Sequence, residues 1–362
     1  MKIAIYGAGK FGQYIYQCLN KKNDVTCFID NDLNIKNKIV CGLKVIHIDE
    51  FNDESIDVVL VAFLGALQCI KELEKLRCKR IGIIQSYVFL EKRDFDICSE
   101  GDVIWDDLWK RPILWHLQTN IVDSCNLNCK GCSHFSNLFN QNDSVPFGVF
   151  CKDLDRISRE TFICNFAFVG GEPFLHPNLS DYIDYARTKL PCSRIVIYTN
   201  GLLIPCVDKK ILREISENRI EIFITGYKPT LKIMDSIKKE LDSYNVSFTI
   251  GDEISSFGKN IDLEGSEDNI NRFIECRESK CHFFRNGKIY KCPFAALGNV
   301  LFDYYSIDIH LNDGVKIHEN TNWDNLVDVL DNMATSACKY CAKDTDFEWE
   351  CGKQPTLNDW IV

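Results

Sequence analysis

The sequence predicts an α/β protein in three parts, and three observations predict it. A short apolar strand, Ile3–Tyr6, runs straight into Gly7-Ala-Gly-Lys-Phe-Gly12 and a helical stretch. From Ile113 onward apolar strands alternate with amphipathic helices, the pattern of a parallel sheet with helices outside it. After residue 265 that alternation stops and cysteines return. The parts are residues 1–98, 113–265 and 266–362.

In the first part, the helix Gln13–Asn20 leads to the strand Val25–Ile29, which ends at Asp30. Gly7, Gly9 and Gly12 thus form G-x-G-x-x-G between a strand and a helix, with an acid about 20 residues on. Asp30 is placed to accept from ribose hydroxyls. Val58–Ala62 and Ile81–Ile84 read as buried strands with a helix, Ala66–Arg77, between them. So short a stretch supplies one mononucleotide-binding half and a remnant. Three readings stay open: NAD, a nucleotide sugar or other phosphate ligand, or a docking unit that binds neither.

Residues 99–112 read as a connector opened by Gly101 and closed by Arg111-Pro112. Strands follow at Leu114–Val122, Asn165–Val169, Ile195–Thr199, Glu221–Thr225 and Val246–Ile250. Helices lie between them at Phe150–Glu160, Leu179–Leu190, Lys209–Asn218 and Leu231–Tyr244. The expected architecture is an open or partial β/α barrel, whose functional groups gather at strand C-terminal ends. Cys125 follows the first strand, Gly170 the second, Asn200 the third and Tyr227 the fourth, so all four fall on one rim.

Those rim residues carry chemistry. Cys125, Cys129 and Cys132 have C-x3-C-x2-C spacing. Three thiolates can hold three corners of a [4Fe–4S] cube and leave the fourth iron open, and an open metal position is a reaction site. Gly170-Gly171-Glu172-Pro173 ends an apolar strand; two glycines let a ligand lie against backbone, and a carboxylate suits an ammonium group. Thr199-Asn200-Gly201 ends the next strand.

With these motifs in this order, residues 113–255 resemble the radical S-adenosylmethionine (SAM) enzymes. The resemblance implies that the three cysteines hold a cluster whose open iron is chelated by SAM, and that Gly170–Pro173 contacts the SAM amine. Gly131 stands where the family often has an aromatic residue, and Phe135 is the replacement in reach. It also implies an electron from flavodoxin or ferredoxin, homolytic SAM cleavage, and hydrogen abstraction from an unactivated carbon by the 5′-deoxyadenosyl radical.

In the third part, Cys281 and Cys292 flank a hairpin whose turn is Asn286-Gly287, and Cys338-x2-Cys341 adds a second pair. Four thiolates close a site that suits [4Fe–4S] or zinc. Cys276 is the rival to Cys281, and Cys351 is a spare. The arrangement resembles the SPASM and twitch extensions of radical SAM enzymes, which hold auxiliary [4Fe–4S] clusters. Cys276-x10-Gly-x4-Cys292 meets the first half of the SPASM pattern, and the later cysteine run is missing, so one auxiliary cluster is expected.

The 362 residues carry 19 cysteines and a net charge of −10. That charge disfavours a nucleic-acid partner. No apolar run approaches membrane-spanning length. A strand at the very start leaves no room for a signal peptide, and abundant cysteines without one fit a reducing cytoplasm. The first part resembles the Rossmann-like modules that precede sugar-modifying domains, which implies a sugar, nucleotide-sugar or glycan substrate undergoing oxidation or epimerisation. Cys151 or Cys164 would return a hydrogen atom in the second case. The alternatives are maturation of a peptide or protein, and, in another class, an NAD-dependent oxidoreductase with structural clusters. His134, His176 and Tyr227 are further substrate-facing candidates, and His116 reads as structural.

Overall fold

The computed structural model describes residues 1–19, 23–140, 144–266, 268–317 and 320–362. Asn20, expected at the end of the first helix, lies outside them. The chain is mixed α/β with largely parallel sheets and divides into two compact units, Met1–Arg111 and Pro112–Val362.

In the first unit the strands are β1 (Lys2–Tyr6), β2 (Asp24–Asp30), β3 (Ile39–Val40), β4 (Leu43–His47), β5 (Val58–Val61), β6 (Arg80–Ile84) and β7 (Val103–Trp105). They lie in the order β3-β4-β2-β1-β5-β6-β7, with β4, β2, β1, β5 and β6 parallel. The expected strands at β5 and β6 are present, and β4, which the sequence reading did not include, adds to the sheet beside β2. Strands flank β1 on both sides, so the unit has a switch point between β1 and β5, where such sheets bind ligands. The unit also runs past residue 98, because β7 pairs antiparallel with β6. Gly82 permits this: a Cβ there would meet Val103 Cγ1 at 2.5 Å. The expected helix Ala66–Arg77 is broken into a 3₁₀ turn, Ala66–Cys69, and one α-helical turn, Ile70–Leu73. Its apolar face is thin; only Ala66, Leu73 and Leu76 are buried.

In the second unit β8 (Ile113–Val122), β9 (Phe162–Gly170), β10 (Arg194–Thr199), β11 (Glu221–Gly226) and β12 (Phe248–Glu253) are parallel neighbours in that order. Alternate residues along each strand face opposite ways. Phe166, Phe168, Ile195, Ile197, Ile222 and Ile224 pack in one core with Phe150, Leu154 and Ile157 of the helix Phe147–Glu160 and with Leu212 and Ile237 of later helices. Ala167 and Val169 turn the other way, into a core shared with C-terminal residues such as Phe283, Leu301 and Trp360.

Residues 266–362 do not stand apart as expected. The hairpin β14 (His282–Arg285) and β15 (Lys288–Tyr290) joins the barrel sheet, with β14 parallel to β8. The sixth parallel strand therefore lies beside the first, covering an edge that would otherwise present unpaired backbone. β16 (Val315–Lys316) follows β15, while β13 (Ser256–Ile261) and β17 (Cys341–Glu348) form a separate antiparallel pair. Arg285 secures the junction by a bidentate ion pair to Asp123 (2.6 and 2.7 Å), whose carboxylate is wholly buried. Arg285→Ala should cost about 3–5 kcal/mol in chemical denaturation, because it strands a buried charge. A loss under about 1 kcal/mol, the value of an exposed pair, would contradict this role. Among the described residues no helix is long and apolar enough to cross a membrane.

Candidate active site

The C-terminal ends of β8 to β11 open on one cavity of ≈ 470 Å³, whose rim carries Cys125, Cys129, Cys132, Gly170, Gly171, Asn200 and Tyr227. The Leu127 amide donates to Cys125 Sγ at 3.4 Å. Asn200 Nδ2 lies 3.7 Å from the same sulfur and donates to Asn126 Oδ1 at 2.7 Å, tying the end of β10 to the cysteine loop. Burial pushes the Cys125 thiol up to about 12 and the Cys129 thiol higher still. Thiols shifted that far stay protonated at neutral pH unless a metal binds them. Deeper in the cavity the buried Ser136 hydroxyl has no hydrogen-bond partner within the protein. The donor set and the orphaned hydroxyl both suit a cluster with a bound small molecule beside it.

The Gly-Gly-Glu-Pro run is placed as expected, at the end of β9. A Cβ on Gly170 would meet Val122 O at 2.4 Å, and one on Gly171 would meet Ser124 O at 1.8 Å. The glycines therefore let β9 press against the backbone that leads into Cys125. The Gly171 and Glu172 amides are consumed there too, donating to Val122 O and Ser124 O at 3.0 Å. Glu172 and Pro173 are buried away from the cavity lining. The Glu172 carboxylate accepts from Thr199 Oγ1 (2.7 Å), Asn200 N (2.9 Å) and Phe174 N (3.2 Å), which fixes it between the ends of β9 and β10.

Burial outweighs those donors and pushes the Glu172 carboxyl up to about 7. Its proton is held more tightly folded than unfolded. The resulting stability is present in full below the unfolded value, about 4.5, and is lost as pH rises through about 7. In the cluster-free chain, Glu172→Gln should remove this dependence, on the order of 3 kcal/mol across that window. Urea midpoints of the two proteins that run parallel from about pH 4.5 to 7 would contradict the assignment.

The last residues cover the cysteine loop. Lys130 N donates to Glu350 O and Gly352 N to Asn128 O, both at 2.9 Å, so Cys129 and Cys351 face each other across an antiparallel bridge. Trp349 stacks on Tyr227 with centroids 5.0 Å apart, and Trp360 Nε1 donates to Cys132 O at 2.9 Å. This cover explains Gly131: at φ +67° a Cβ would meet Phe347 Cζ at 2.7 Å and Asp359 O at 2.8 Å. Phe135 does not replace the missing ring; it is buried between Trp360 and Phe294.

Among the histidines, His134 and His116 line the cavity, whereas His176 packs on Tyr182 at 4.6 Å and accepts from Asn178 N. His116 is thus a lining residue rather than a purely structural one. Asn120 donates through Nδ2 to Asp123, which leaves its Oδ1 facing His134 Nδ1 at 3.1 Å. His134 therefore carries its proton on Nδ1 and can accept through Nε2.

A second group of thiols surrounds a small space of ≈ 30 Å³ lined by Cys276, Cys292, Cys338 and Cys341. Cys281, the expected member, lines the central cavity instead. The cause is local. The chain from Cys276 turns tightly, with Cys281 N donating to Glu278 O at 2.9 Å. Cys292 leaves the hairpin to cap the helix Pro293–Tyr304, its sulfur accepting from Ala295 N at 3.5 Å. Lys291 also borders the space, and Arg272 holds Cys341 O through Nε at 2.6 Å; both cations suit a group of thiolates. Four sulfurs on one zinc ion would stand about 3.8 Å apart. Among the described residues no three His, Cys, Asp or Glu side chains are close enough to share a single ion.

In the first unit, Gly7, Gly9 and Asp30 line a cavity of ≈ 450 Å³ together with Tyr6, Lys10 and Glu72. Gly12 does not. A Cβ there would meet Gly7 O at 1.8 Å, so that glycine serves helix–strand packing. Asp30 accepts from Ala8 N (2.8 Å) and Asp32 N (3.0 Å). The buried Tyr6 hydroxyl beside it has no partner.

Sequence reasoning missed Trp349, Trp360, Ser136 and the Arg285–Asp123 pair. It also left Cys351 without a place. Apart from Ser136, each acts through pairing between distant segments, which no local spacing marks.

Residues 1–84 match the family described as C2185-like, N-terminal. The GTP 3′,8-cyclase of Clostridium acetobutylicum is 28% identical over 138 residues, which cover 34% of this chain and 42% of the cyclase. The chain thus spans under half the length of that curated relative. Among solved structures, native anSMEcpe with bound AdoMet is 22% identical, covering 38% of this chain and 43% of that one with a TM-score of 0.32. BtrN in complex with AdoMet and 2-DOIA is 18% identical, covering 64% and 93% with a TM-score of 0.40.

Proposed function

We propose that this chain is a radical SAM enzyme acting on a sugar, nucleotide sugar or glycan intermediate. The observation that carries the reading is the cysteine loop at the mouth of a cavity ringed by strand ends, with Cys125, Cys129 and Cys132 all lining it. A [4Fe–4S] cluster on those thiols, when loaded with SAM and an electron, supplies an oxidising carbon radical. Asn200 and Leu127 orient Cys125, while Trp349 and Tyr227 shield the loop from water. His134 Nε2 and the Ser136 hydroxyl are set to hold substrate or SAM hydroxyls.

Cys276, Cys292, Cys338 and Cys341 are proposed as the auxiliary [4Fe–4S] ligands. That leaves the Cys281 thiol in the cavity, from where a hydrogen atom can return to a substrate carbon, which favours epimerisation over net oxidation. Cys151 packs on the outer helical face, and Cys164 is not in the lining. The nucleotide-type cavity around Gly7, Gly9 and Asp30 supports a nucleotide-sugar substrate over the peptide alternative, and a low-potential flavodoxin or ferredoxin is the proposed donor. Adding SAM to the reduced, reconstituted protein should perturb the electron paramagnetic resonance of one cluster. A spectrum indifferent to SAM would remove the proposal.

A further inference from the structure

The bridge between the cysteine loop and the last residues joins two free thiols. Its two hydrogen bonds, Lys130 N to Glu350 O and Gly352 N to Asn128 O, flank the pair and do not involve Cys129 or Cys351. That is the non-hydrogen-bonded class of antiparallel pair, with Cα atoms about 4.5 Å apart and both side chains on one face. Disulfides form across about 4.4–6.8 Å between Cα atoms, so the backbone already meets the requirement. Neither segment is free to drift. Asn128 Nδ2 donates to Lys353 O at 2.6 Å, and Trp360 grips Cys132 O from the other side. Cys129, Cys351, Cys125 and Cys132 share one small apolar cluster with Trp349, in which Cys351 is only half-buried.

We propose that Cys129 and Cys351 form a reversible disulfide in the cluster-free chain. The bond locks a cluster thiol away under oxidising conditions and returns it on reduction. With oxidised glutathione as the oxidant, one thiolate of the pair attacks a glutathione sulfur and expels a glutathione thiolate. The other then displaces the second glutathione. Two cysteines are oxidised, one glutathione disulfide becomes two glutathione thiols, and those carry away the two protons. The consequence for cluster loading rests on the reading of Cys125, Cys129 and Cys132 as cluster ligands; the bond itself does not.

Treating the cluster-free full chain with oxidised glutathione, alkylating the remaining thiols and mapping the peptides tests this. The expected product joins the Cys129 and Cys351 peptides with loss of two hydrogens. Iron uptake should fall to background in that form and return in full after dithiothreitol. Cys351→Ser should bind iron as well as the unaltered chain before oxidation and, with its buried Cys129 left a free thiol, keep that uptake after it. A bond from Cys129 to Cys125 or Cys132, complete alkylation of Cys351, or loss of iron from Cys351→Ser before any oxidation would overturn the proposal. Failure of SAM cleavage in the loaded protein would remove the cluster reading and leave the mapped bond standing.

Discussion

Cys129→Ala is expected to lose about four of about eight irons per chain and all 5′-deoxyadenosine formation, while the auxiliary cluster assembles normally. The expectation follows from where the thiol sits. Cys129 is buried in the cysteine loop, and its backbone is bridged to the C-terminal segment opposite Cys351. Cys351 is the nearest substitute thiol. Loading of a Cys129→Ala chain through Cys351 would appear as retained iron, and the double variant with Cys351→Ser separates the two outcomes. Undiminished SAM cleavage in that double variant would exclude this loop as the reaction site.

Cys276→Ala and Cys281→Ala should part company completely. The first removes a member of the four-thiol group and is expected to reduce iron by about half, leaving the cysteine-loop cluster and its SAM response in place. The second changes a cavity residue and should leave iron content unaltered while abolishing the hydrogen return proposed for that thiol. Cys292 and Cys341 bracket the same small space as Cys276, and burial raises all three thiols, so any one left without metal becomes an inert buried hydrophobe. Iron analysis and visible absorption on the two variants decide the matter. Equal iron loss from both would mean that the group rearranges on loading.

The rim was legible because its parts are local. A strand, a glycine pair and a polar residue at the strand end are contiguous in sequence, so Cys125, Gly170, Asn200 and Tyr227 could be placed on one edge before any coordinates. What those residues do was less legible. Glycine beside a strand end reads as room for a ligand, yet at Gly170 and Gly171 the room is taken by the backbone of residues 122–124. The choice between Cys276 and Cys281 turned on hairpin logic, which brings two base positions together across the strands but does not fix which way each thiol turns once the strands end. Cys292 begins a helix there and Cys281 ends a tight turn. The cover over the cysteine loop was hidden for a different reason. Residues 349–360 meet residues 128–132 only through tertiary pairing, and an isolated cysteine near a terminus carries no periodic signal. In the first unit β5 and β6 were legible, whereas β3, β4 and β7, each of two to five residues, were not.

The proposal beneath these predictions is a cluster held by three thiols whose fourth iron is open to SAM. Its most direct measurement is anaerobic incubation of the reconstituted, iron-loaded protein with dithionite and SAM, followed by chromatography of the nucleoside products. The expected products are 5′-deoxyadenosine and methionine in equal amounts. A fully loaded protein that leaves SAM intact would contradict the proposal.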